Sequence, residues 1–166
     1  LGRISTGKIE LHLQPLTLTE VLADSIEGVR MAIESRRHEV AVQVQPGKHR
    51  VRGDSARLTQ VIANLIENAA KYTEPGGRIR VRARANGRNV VLTIGNNGRT
   101  IPPGENIFER FHHSSSPAAA SGHGIGLNLA RELTRLHGGE LRLVRSENDW
   151  TEFEVRFSAA NGVNAV

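Results

Sequence analysis

The sequence contains no cysteine and few aromatic residues, with one tryptophan, one tyrosine and four phenylalanines among its 166 residues. The absence of cysteine excludes disulfides and thiolate chemistry and fits a reducing compartment. No apolar run approaches the ~20 residues that cross a membrane, and the first residues lack the pattern of a signal peptide. We therefore expect a soluble cytoplasmic domain without direct membrane contact.

The charge balance gives a weak preference for anionic partners. The 22 Lys and Arg residues outnumber the 17 Asp and Glu residues, for a net charge of +5, and a nucleotide fits this balance as well as a nucleic acid does. Four arginines alternate with apolar residues between Arg78 and Arg84, which predicts a strand with one solvated face. No aromatic residues alternate with these arginines to stack on bases, so we predict no nucleic-acid binding.

The segment from Asp54 to Thr73 carries the most information. Its apolar residues recur at the i, i+3, i+4 spacing of a helix that packs on a core: Leu58, Val61, Ile62, Leu65, Ile66 and Ala69. Asp54 is the predicted N-cap, and the helix is predicted to run to about Tyr72, before Pro75-Gly76-Gly77. Asn64, Asn68 and Lys71 lie beside the apolar stripe. Taken alone, this segment is equally compatible with a surface helix that carries incidental amides.

Periodicity and turn residues predict the other elements. Upstream we predict a strand over Lys8–Gln14 that Pro15 ends, a helix from Thr17 or Thr19 to about Ser35, and a strand through Val40, Val42 and Val44. Downstream we predict a hairpin turn at Asn86-Gly87 and a strand over Asn89–Ile94. A helix follows that carries Ile125, Leu129, Leu133 and Leu136 on its apolar face and ends at His137-Gly138-Gly139. The last two predicted strands cover Glu140–Arg145 and Trp150–Phe157.

This order of elements predicts an α+β fold. A mixed, mostly antiparallel sheet would be covered on one face by three helices, which gives a two-layer α/β sandwich. The turn-rich stretch from Gly98 to Gly122 is too long for a simple connection and is predicted to be a lid.

Residues 64–73, which read Asn64-Leu-Ile-Glu-Asn68-Ala-Ala-Lys71-Tyr72-Thr73, closely resemble the N box of sensor histidine kinases, the ATP-binding motif of their catalytic domain. Three further motifs of that family have counterparts in the expected order. These are Asn96-Asn97-Gly98-Arg99-Thr100 after a strand, Ile107-Phe108-Glu109-Arg110-Phe111 as an F box, and Gly122-His-Gly124-Ile-Gly126-Leu127 as a glycine-rich box that opens a helix. Four spaced motifs are far more specific than one glycine pattern.

The resemblance implies the Bergerat fold and a catalytic domain that uses ATP and Mg²⁺. It would transfer the γ-phosphate to a histidine of a dimerisation domain in two-component signalling. None of the seven histidines has the His-Glu-x-x-Arg type of context of the family's phosphoacceptor. We therefore expect the substrate histidine, and the helices through which such kinases dimerise, outside this chain, and a response regulator receiver domain as the next phosphate acceptor.

The same resemblance predicts the domain boundaries. Residues 1–7 are expected to end a linker from the dimerisation helices of a soluble or membrane-anchored parent. Residues 8–160 would form the catalytic domain, with the lid at about 98–122, and residues 161–166 would form a disordered tail.

The resemblance also assigns roles to single residues. Asn68 would be the Mg²⁺ ligand and Lys71 would reach a phosphate, which makes both of them catalytic, and Tyr72 would lie against the nucleotide. Further nucleotide contacts are expected from Asn64, Asn96, Gly98, Ile101, Phe108, Gly122, Gly124, Ile125, Gly126 and Leu127. The last box would bring backbone amides at a helix N-terminus close to phosphates. Phe108 and Phe111 are also expected to pack the lid onto the core.

Position 64 favours phosphoryl transfer over ATP hydrolysis. Related ATPases of the gyrase and MutL types hold a glutamate four residues before the magnesium-binding asparagine, as the general base for water. Asn64 cannot accept a proton at neutral pH. Glu67 is a further catalytic candidate, by resemblance to kinases in which an acidic residue here helps to deprotonate the phosphoacceptor, although it points ~100° away from Asn68 around the helix.

The nucleotide box departs from the family pattern at two positions. Asn96 stands where the family has an adenine-reading aspartate, and only the carbonyl end of its amide can accept a hydrogen bond from adenine. Thr100 replaces a glycine, and its Cβ could intrude on the base pocket. After the F box, His112-His113 replaces an aromatic-basic pair. We expect weakened ATP binding, and the alternative is a degenerate domain that acts as a signalling scaffold through protein contacts.

Overall fold

The computed structural model describes residues 5–6, 9–98, 100–102, 105, 107–108 and 126–159. The helices are α1 (Leu18–Gly28), α2 (Arg30–Ser35), α3 (Ser55–Tyr72) and α4 (Gly126–Leu136). The strands are β1 (Ser5–Thr6), β2 (Ile9–Glu10), β3 (Gln14–Thr17), β4 (Glu39–Val44), β5 (Arg50–Gly53), β6 (Arg78–Asn86), β7 (Asn89–Asn97), β8 (Glu140–Glu147) and β9 (Trp150–Ser158).

A five-stranded sheet in the order β4-β6-β7-β9-β8 forms one layer of the fold. β4 runs parallel to β6, and the other neighbours are antiparallel. β1 pairs with β2 and β3 pairs with β5 in two small antiparallel sheets. The predicted mixed, mostly antiparallel α+β architecture is confirmed.

The two faces of the sheet differ because side chains alternate along each strand. On β6, Ile79, Val81 and Ala83 are buried, whereas the arginines between them are exposed or half-buried. The predicted strand with one solvated face is therefore confirmed. The apolar residues face the helices, which form the second layer.

The helix α3 lies at the centre of the helical layer and packs on α1, α4 and the strands β6 and β7. Its N-cap is Asp54, whose Oδ1 accepts a hydrogen bond from the backbone N of Arg57 at 3.1 Å. All the predicted apolar positions of this helix are buried, and Ala70 is buried with them. The predicted boundaries of this helix are confirmed, because capping and periodicity agree.

The N-terminal strand prediction is wrong in its boundaries. Leu11 to Leu13 are not in a strand, and Pro15, which was expected to end the strand, lies inside β3 opposite Arg52. A two-stranded sheet has only edge strands, where a proline without an N–H can be accommodated. Its partner β5 was not predicted.

The first helix is interrupted where one continuous helix was predicted. Val29 separates α1 from α2 with φ −112° and ψ 8°, at a Gly28-Val29 pair of poor helix formers. The position of Thr17 as the first cap is confirmed, but its side chain makes no capping hydrogen bond. The spacing of Leu22, Ile26, Val29 and Ile33 predicts one apolar face, and of these Leu22, Val29 and Ile33 are buried and Ile26 is half-buried.

The chain after α2 turns back onto the C-terminal end of α3. Arg36 donates from Nη2 to the carbonyl oxygen of Thr73 at 2.8 Å. The Nε2 of the buried His38 lies 3.1 Å from the same oxygen and 3.2 Å from the carbonyl oxygen of Glu74. The end of α3 is thus fixed by two side chains from a distant segment.

Two other predicted features are confirmed with a shift. The hairpin between β6 and β7 turns at Gly87-Arg88, with Gly87 at φ +62°, and Asn86 pairs with Asn89. β7 extends beyond the predicted Ile94 to Asn97.

The predicted strand through Val40, Val42 and Val44 is present as β4. Val42 and Val44 of β4 are 45% and 36% exposed, because β4 is an edge strand. Within the described ranges, no helix is both long enough and apolar enough to cross a bilayer.

Candidate functional site

The polar edge of α3 is present as its sequence predicts. Asn64, Asn68 and Lys71 are half-buried beside the buried apolar stripe, and their spacing of four and three residues places them in line along the helix. Glu67 is exposed and lies outside this line. Three polar side chains therefore border the core along the C-terminal half of α3.

Asn64 connects this edge to α4. Its Nδ2 donates to the backbone oxygen of Gly126, the first residue of α4, at 3.3 Å. Among the described residues, no atom lies within 4 Å of the position that a Cβ on Gly126 would occupy. Leu127 follows, half-buried against the core. The start of α4 and the polar edge of α3 thus meet at Asn64.

The end of β7 contributes a buried amide to the same region. Asn96 is 4% exposed and lies opposite Ile79 on one side and Thr151 on the other. Its Nδ2 donates a long hydrogen bond of 3.4 Å to the backbone oxygen of Asn97. A buried amide held this weakly by the protein has capacity to bind a ligand.

Gly98 lets β7 pass close to the end of α3. A Cβ at this position would lie 2.6 Å from the backbone oxygen of Tyr72 and 3.0 Å from Nδ2 of Asn96. Only glycine fits here. The close approach brings Asn96, Gly98 and Tyr72 together, as expected for residues of one site.

Lys71 is a partly desolvated cation beside Tyr72. Its Nζ lies 5.5 Å from the centroid of the Tyr72 ring. Burial lowers the pKa of the Lys71 ammonium group, because desolvation disfavours its charged form. An anion beside Nζ would offset that cost.

Ile101 and Phe108 are held at the rim of the site. The backbone N of Ile101 donates to Oγ of Ser146 at 2.7 Å, and Oγ of Ser146 lies 2.8 Å from Oγ1 of Thr151. Sequence reasoning missed both hydroxyl residues. The positions of Ser146 and Thr151 depend on the pairing register of β8 and β9. The Asn148-Asp149 turn, with both residues at positive φ, sets this register. That dipeptide was the sequence signal from which the turn could have been predicted.

Phe108 packs on the core, as predicted. Its ring makes an edge contact with Phe153 at 6.0 Å between centroids, and the Arg131 guanidinium lies 4.9 Å from its centroid. Nδ2 of Asn128 donates to the backbone oxygen of Phe108 at 3.1 Å.

Several expected site residues lie outside the described residues, and so do most of the expected lid and the expected tail. These residues are Gly122, Gly124, Ile125, Phe111 and the His112-His113 pair. Thr100 is exposed.

A family model described as "Histidine kinase-, DNA gyrase B-, and HSP90-like ATPase" matches residues 53–161, well over half of the chain. The chain belongs to this family. Within this ATPase family, the chain is similar to the signal transduction histidine-protein kinase/phosphatase MprB of Mycobacterium ulcerans strain Agy99. The two are 37% identical over 133 residues, and this alignment covers 78% of the chain and 25% of MprB. The chain thus spans about a quarter of the length of the curated relatives it matches.

Solved structures of this ATPase family agree with the fold. A mycobacterial sensor histidine kinase MprB structure aligns with a TM-score of 0.77 and 32% identity, over 88% of this chain and 98% of that one. The histidine kinase ThkA, in complex with the response regulator protein TrrA, aligns with a TM-score of 0.77 and 21% identity, over 91% of this chain and 43% of that one, and shows the fold alone. The predicted Bergerat fold and the resemblance to sensor histidine kinase catalytic domains are confirmed.

Proposed function

We propose that this chain is the catalytic domain of a sensor histidine kinase. It binds ATP and transfers the γ-phosphate to a histidine of a dimerisation domain that lies outside these 166 residues. The observation that carries the proposal is that the polar edge of α3 contacts the first residue of α4 through Asn64 and ends beside Gly98 and the buried Asn96. These amides and Lys71 lie within residues 53–161, which the ATPase family model matches, and this supports a nucleotide site here.

Each of these residues has a role in this proposal. The Oδ1 of Asn68 is the protein ligand for Mg²⁺, which usually keeps its other sites for phosphate oxygens and water. Lys71 binds a phosphate as a point charge. Asn96, with Tyr72 and Gly98 beside it, receives the adenine, and Ile101 and Leu127 provide apolar contact. The glycines of the loop before α4, with Ile125, complete the phosphate site.

Asn64 supports transfer to a protein side chain over hydrolysis. Its amide donates to the backbone oxygen of Gly126, which an ionised glutamate could not do because it has no donor. The side chain that would act as general base in a hydrolytic relative is here a structural link between α3 and α4. Glu67 is exposed and remains available to a phosphoacceptor histidine brought from outside.

The partners follow from the same proposal. ThkA is recorded in complex with the response regulator protein TrrA, and we propose a receiver domain of that class as the acceptor of the phosphate. Dimerisation would use helices outside this chain, in a cytoplasmic setting. Nucleic acid and membrane have no part in this function.

The test combines binding with transfer. Calorimetry with a non-hydrolysable ATP analogue should show Mg²⁺-dependent binding that Asn68→Ala weakens by about tenfold or more, since even the loss of an outer-shell partner of a metal ligand typically costs about 10- to 100-fold. Asn86→Ala, an exposed amide at the β6–β7 hairpin, is the matched control and should bind normally. With the parent's dimerisation helices and labelled ATP, acid-labile phosphate should form on those helices.

Two results would contradict the proposal. Equal binding by Asn68→Ala and Asn86→Ala would remove Asn68 as the metal ligand. A wild-type chain that binds no nucleotide, or binds it and transfers nothing to the helices, would favour the scaffold alternative.

A further inference from the structure

The outer face of the five-stranded sheet, which points away from the helices, has an ordered pattern of charge. Arg80 on β6, Gly95 on β7, Glu152 on β9 and Arg145 on β8 lie in one row across the strands. The next row, Arg82, Thr93, Glu154 and Arg142, repeats this order. On the other side Asn97, Trp150 and Glu147 lie in one row, and the backbone N–H of Arg78 donates to Oδ1 of Asn97. β6 therefore carries a column of arginines, and two of these rows have a carboxylate on β9.

Trp150 is held in one orientation on this face. A Cβ on Gly95 would lie 2.6 Å from Cζ2 of the indole ring, so the ring lies directly on the Gly95 backbone. The indole Nε1 donates to Oε2 of Glu152 at 3.1 Å. The Arg80 guanidinium lies 4.7 Å from the ring centroid and donates to the same oxygen at 3.3 Å. These contacts make the indole a preorganised surface.

A cleft of 370 Å³ opens beside this indole, and its lining comprises Glu39, Ala41, Arg78, Ile79, Arg80, Arg145 and Trp150. Its volume falls in the range of about 300–1,000 Å³ that binding clefts have. Its apolar lining comes from Ala41, Ile79 and Trp150, and its charged lining is mainly basic. None of these residues belongs to the proposed nucleotide site.

The positive charge on this face is compensated on one side only. Arg142 and Arg156 pair with Glu154, Arg145 with Glu147, and Arg80 with Glu152. Within the described part of the chain, Arg78, Arg82 and Arg84 have no carboxylate partner, and Arg82 donates only to the neutral side chain of Gln43, at 2.8 Å. Three exposed guanidinium groups of β6 thus retain their capacity for carboxylates.

We propose that this outer face is a docking surface for an extended acidic polypeptide segment. Alternate residues of a strand are ~6.7 Å apart, so carboxylates at every second position of an extended segment match the spacing of Arg78, Arg82 and Arg84 along β6. Guanidinium groups bind carboxylates through two parallel hydrogen bonds. The residues between those carboxylates, or at the end of the segment, pack in the cleft against Ala41 and the part of Trp150 that lines it.

The same surface is poorly suited to a nucleic acid. Single-stranded nucleic acids bind through bases stacked on aromatic rings that the protein leaves open. Here the indole lies on Gly95, is covered by Arg80 and is bonded to Glu152. The carboxylates of Glu39 and Glu152 would also lie beside a continuous row of phosphates, whereas a peptide can place neutral residues opposite them.

Trp150 provides the measurement, because it is the only tryptophan of the sequence. The probe is a tryptophan-free peptide of about eight residues with glutamate at every second position, which spans β6 at ~3.3 Å per residue. Added to the full chain, it should change the Trp150 emission saturably, and added salt should weaken the binding. The same peptide with glutamine in place of glutamate should produce no saturable change.

The test variant is Arg82→Gln/Arg84→Gln, and Arg52→Gln is the matched control because Arg52 is exposed on β5, outside the five-stranded sheet. The double variant should bind the acidic peptide about tenfold more weakly, because it loses two exposed ion pairs, and the control should bind normally. Equal affinities of the variant and control, binding of the glutamine peptide, or no saturable change would overturn the proposal. Tighter binding of a single-stranded oligonucleotide than of the peptide would replace it with nucleic-acid binding.

Discussion

Restoring a carboxylate at position 96 should strengthen nucleotide binding and weaken the empty fold. Asn96→Asp would give the adenine amine a charged acceptor in place of an amide carbonyl. Hydrogen bonds to charged groups contribute ~1.5–3 kcal/mol against ~0.5–1.5 kcal/mol for neutral pairs. A gain of ~1 kcal/mol corresponds to about fivefold tighter binding.

The cost to the empty protein follows from the surroundings of Asn96. The residue is 4% exposed, and an ionised carboxylate there loses the bond that Nδ2 donates to the backbone oxygen of Asn97. Burying a charge without a partner in this position should lower the free energy of unfolding by at least the ~1–3 kcal/mol that an unpaired neutral group costs. Affinity and stability should therefore change in opposite directions.

The assay is calorimetry with a non-hydrolysable ATP analogue and Mg²⁺, paired with urea unfolding of the nucleotide-free chain. Asn97→Asp is the matched control, since it makes the same chemical change one residue later on the opposite face of the sheet. It also keeps the acceptor Oδ1 that receives the backbone N–H of Arg78 at 2.5 Å. Affinity that does not rise in Asn96→Asp, or that rises equally in Asn97→Asp, would refute adenine recognition at position 96.

Two further predictions concern stability. Gly98→Ala should lower the free energy of unfolding by ~1–3 kcal/mol in urea denaturation, because its Cβ would meet the Tyr72 backbone. Gly126→Ala, whose Cβ would meet no atom of the described residues within 4 Å, should leave the free energy of unfolding unchanged. Equal effects of the two substitutions would contradict the close approach at Gly98. Burial lowers the pKa of His137, whose Nε2 accepts the backbone N–H of Asp54 at 3.1 Å and so must be neutral. Unfolding at a series of pH values should show stability that is complete above about pH 6.5 and falls below it, and a slope unchanged in His137→Gln would disprove this assignment.

The centre of the fold could be predicted because several local signals agree there. In α3 the Asp54 cap, the apolar stripe and the stop at Pro75 specify the same helix. Where one signal stood alone, the prediction failed. Pro15 was taken as the end of a strand although an edge strand accommodates it, and a regular apolar face hid the break at Val29.

The residues of the candidate site could be predicted from local motifs, whereas the contacts between residues far apart in the sequence could not. The amides of α3 and Asn96 were found from their motifs, but the bond from Asn64 to Gly126 joins residues 62 positions apart, and sequence spacing gives no such distance. Ser146 and Thr151 were missed for the same reason, since a strand register has to be known before either hydroxyl can be placed beside Ile101.

The return of the chain after α2 has an electrostatic consequence for α3. Aligned peptide dipoles give the C-terminal end of a helix a partial charge of about −0.5, which repels anions, yet the last turn of α3 carries the lysine proposed to receive a phosphate. The guanidinium of Arg36 on the Thr73 carbonyl counters that negative pole. The segment after α2 thereby reduces the electrostatic repulsion that a polyanion would meet at the C-terminal end of α3.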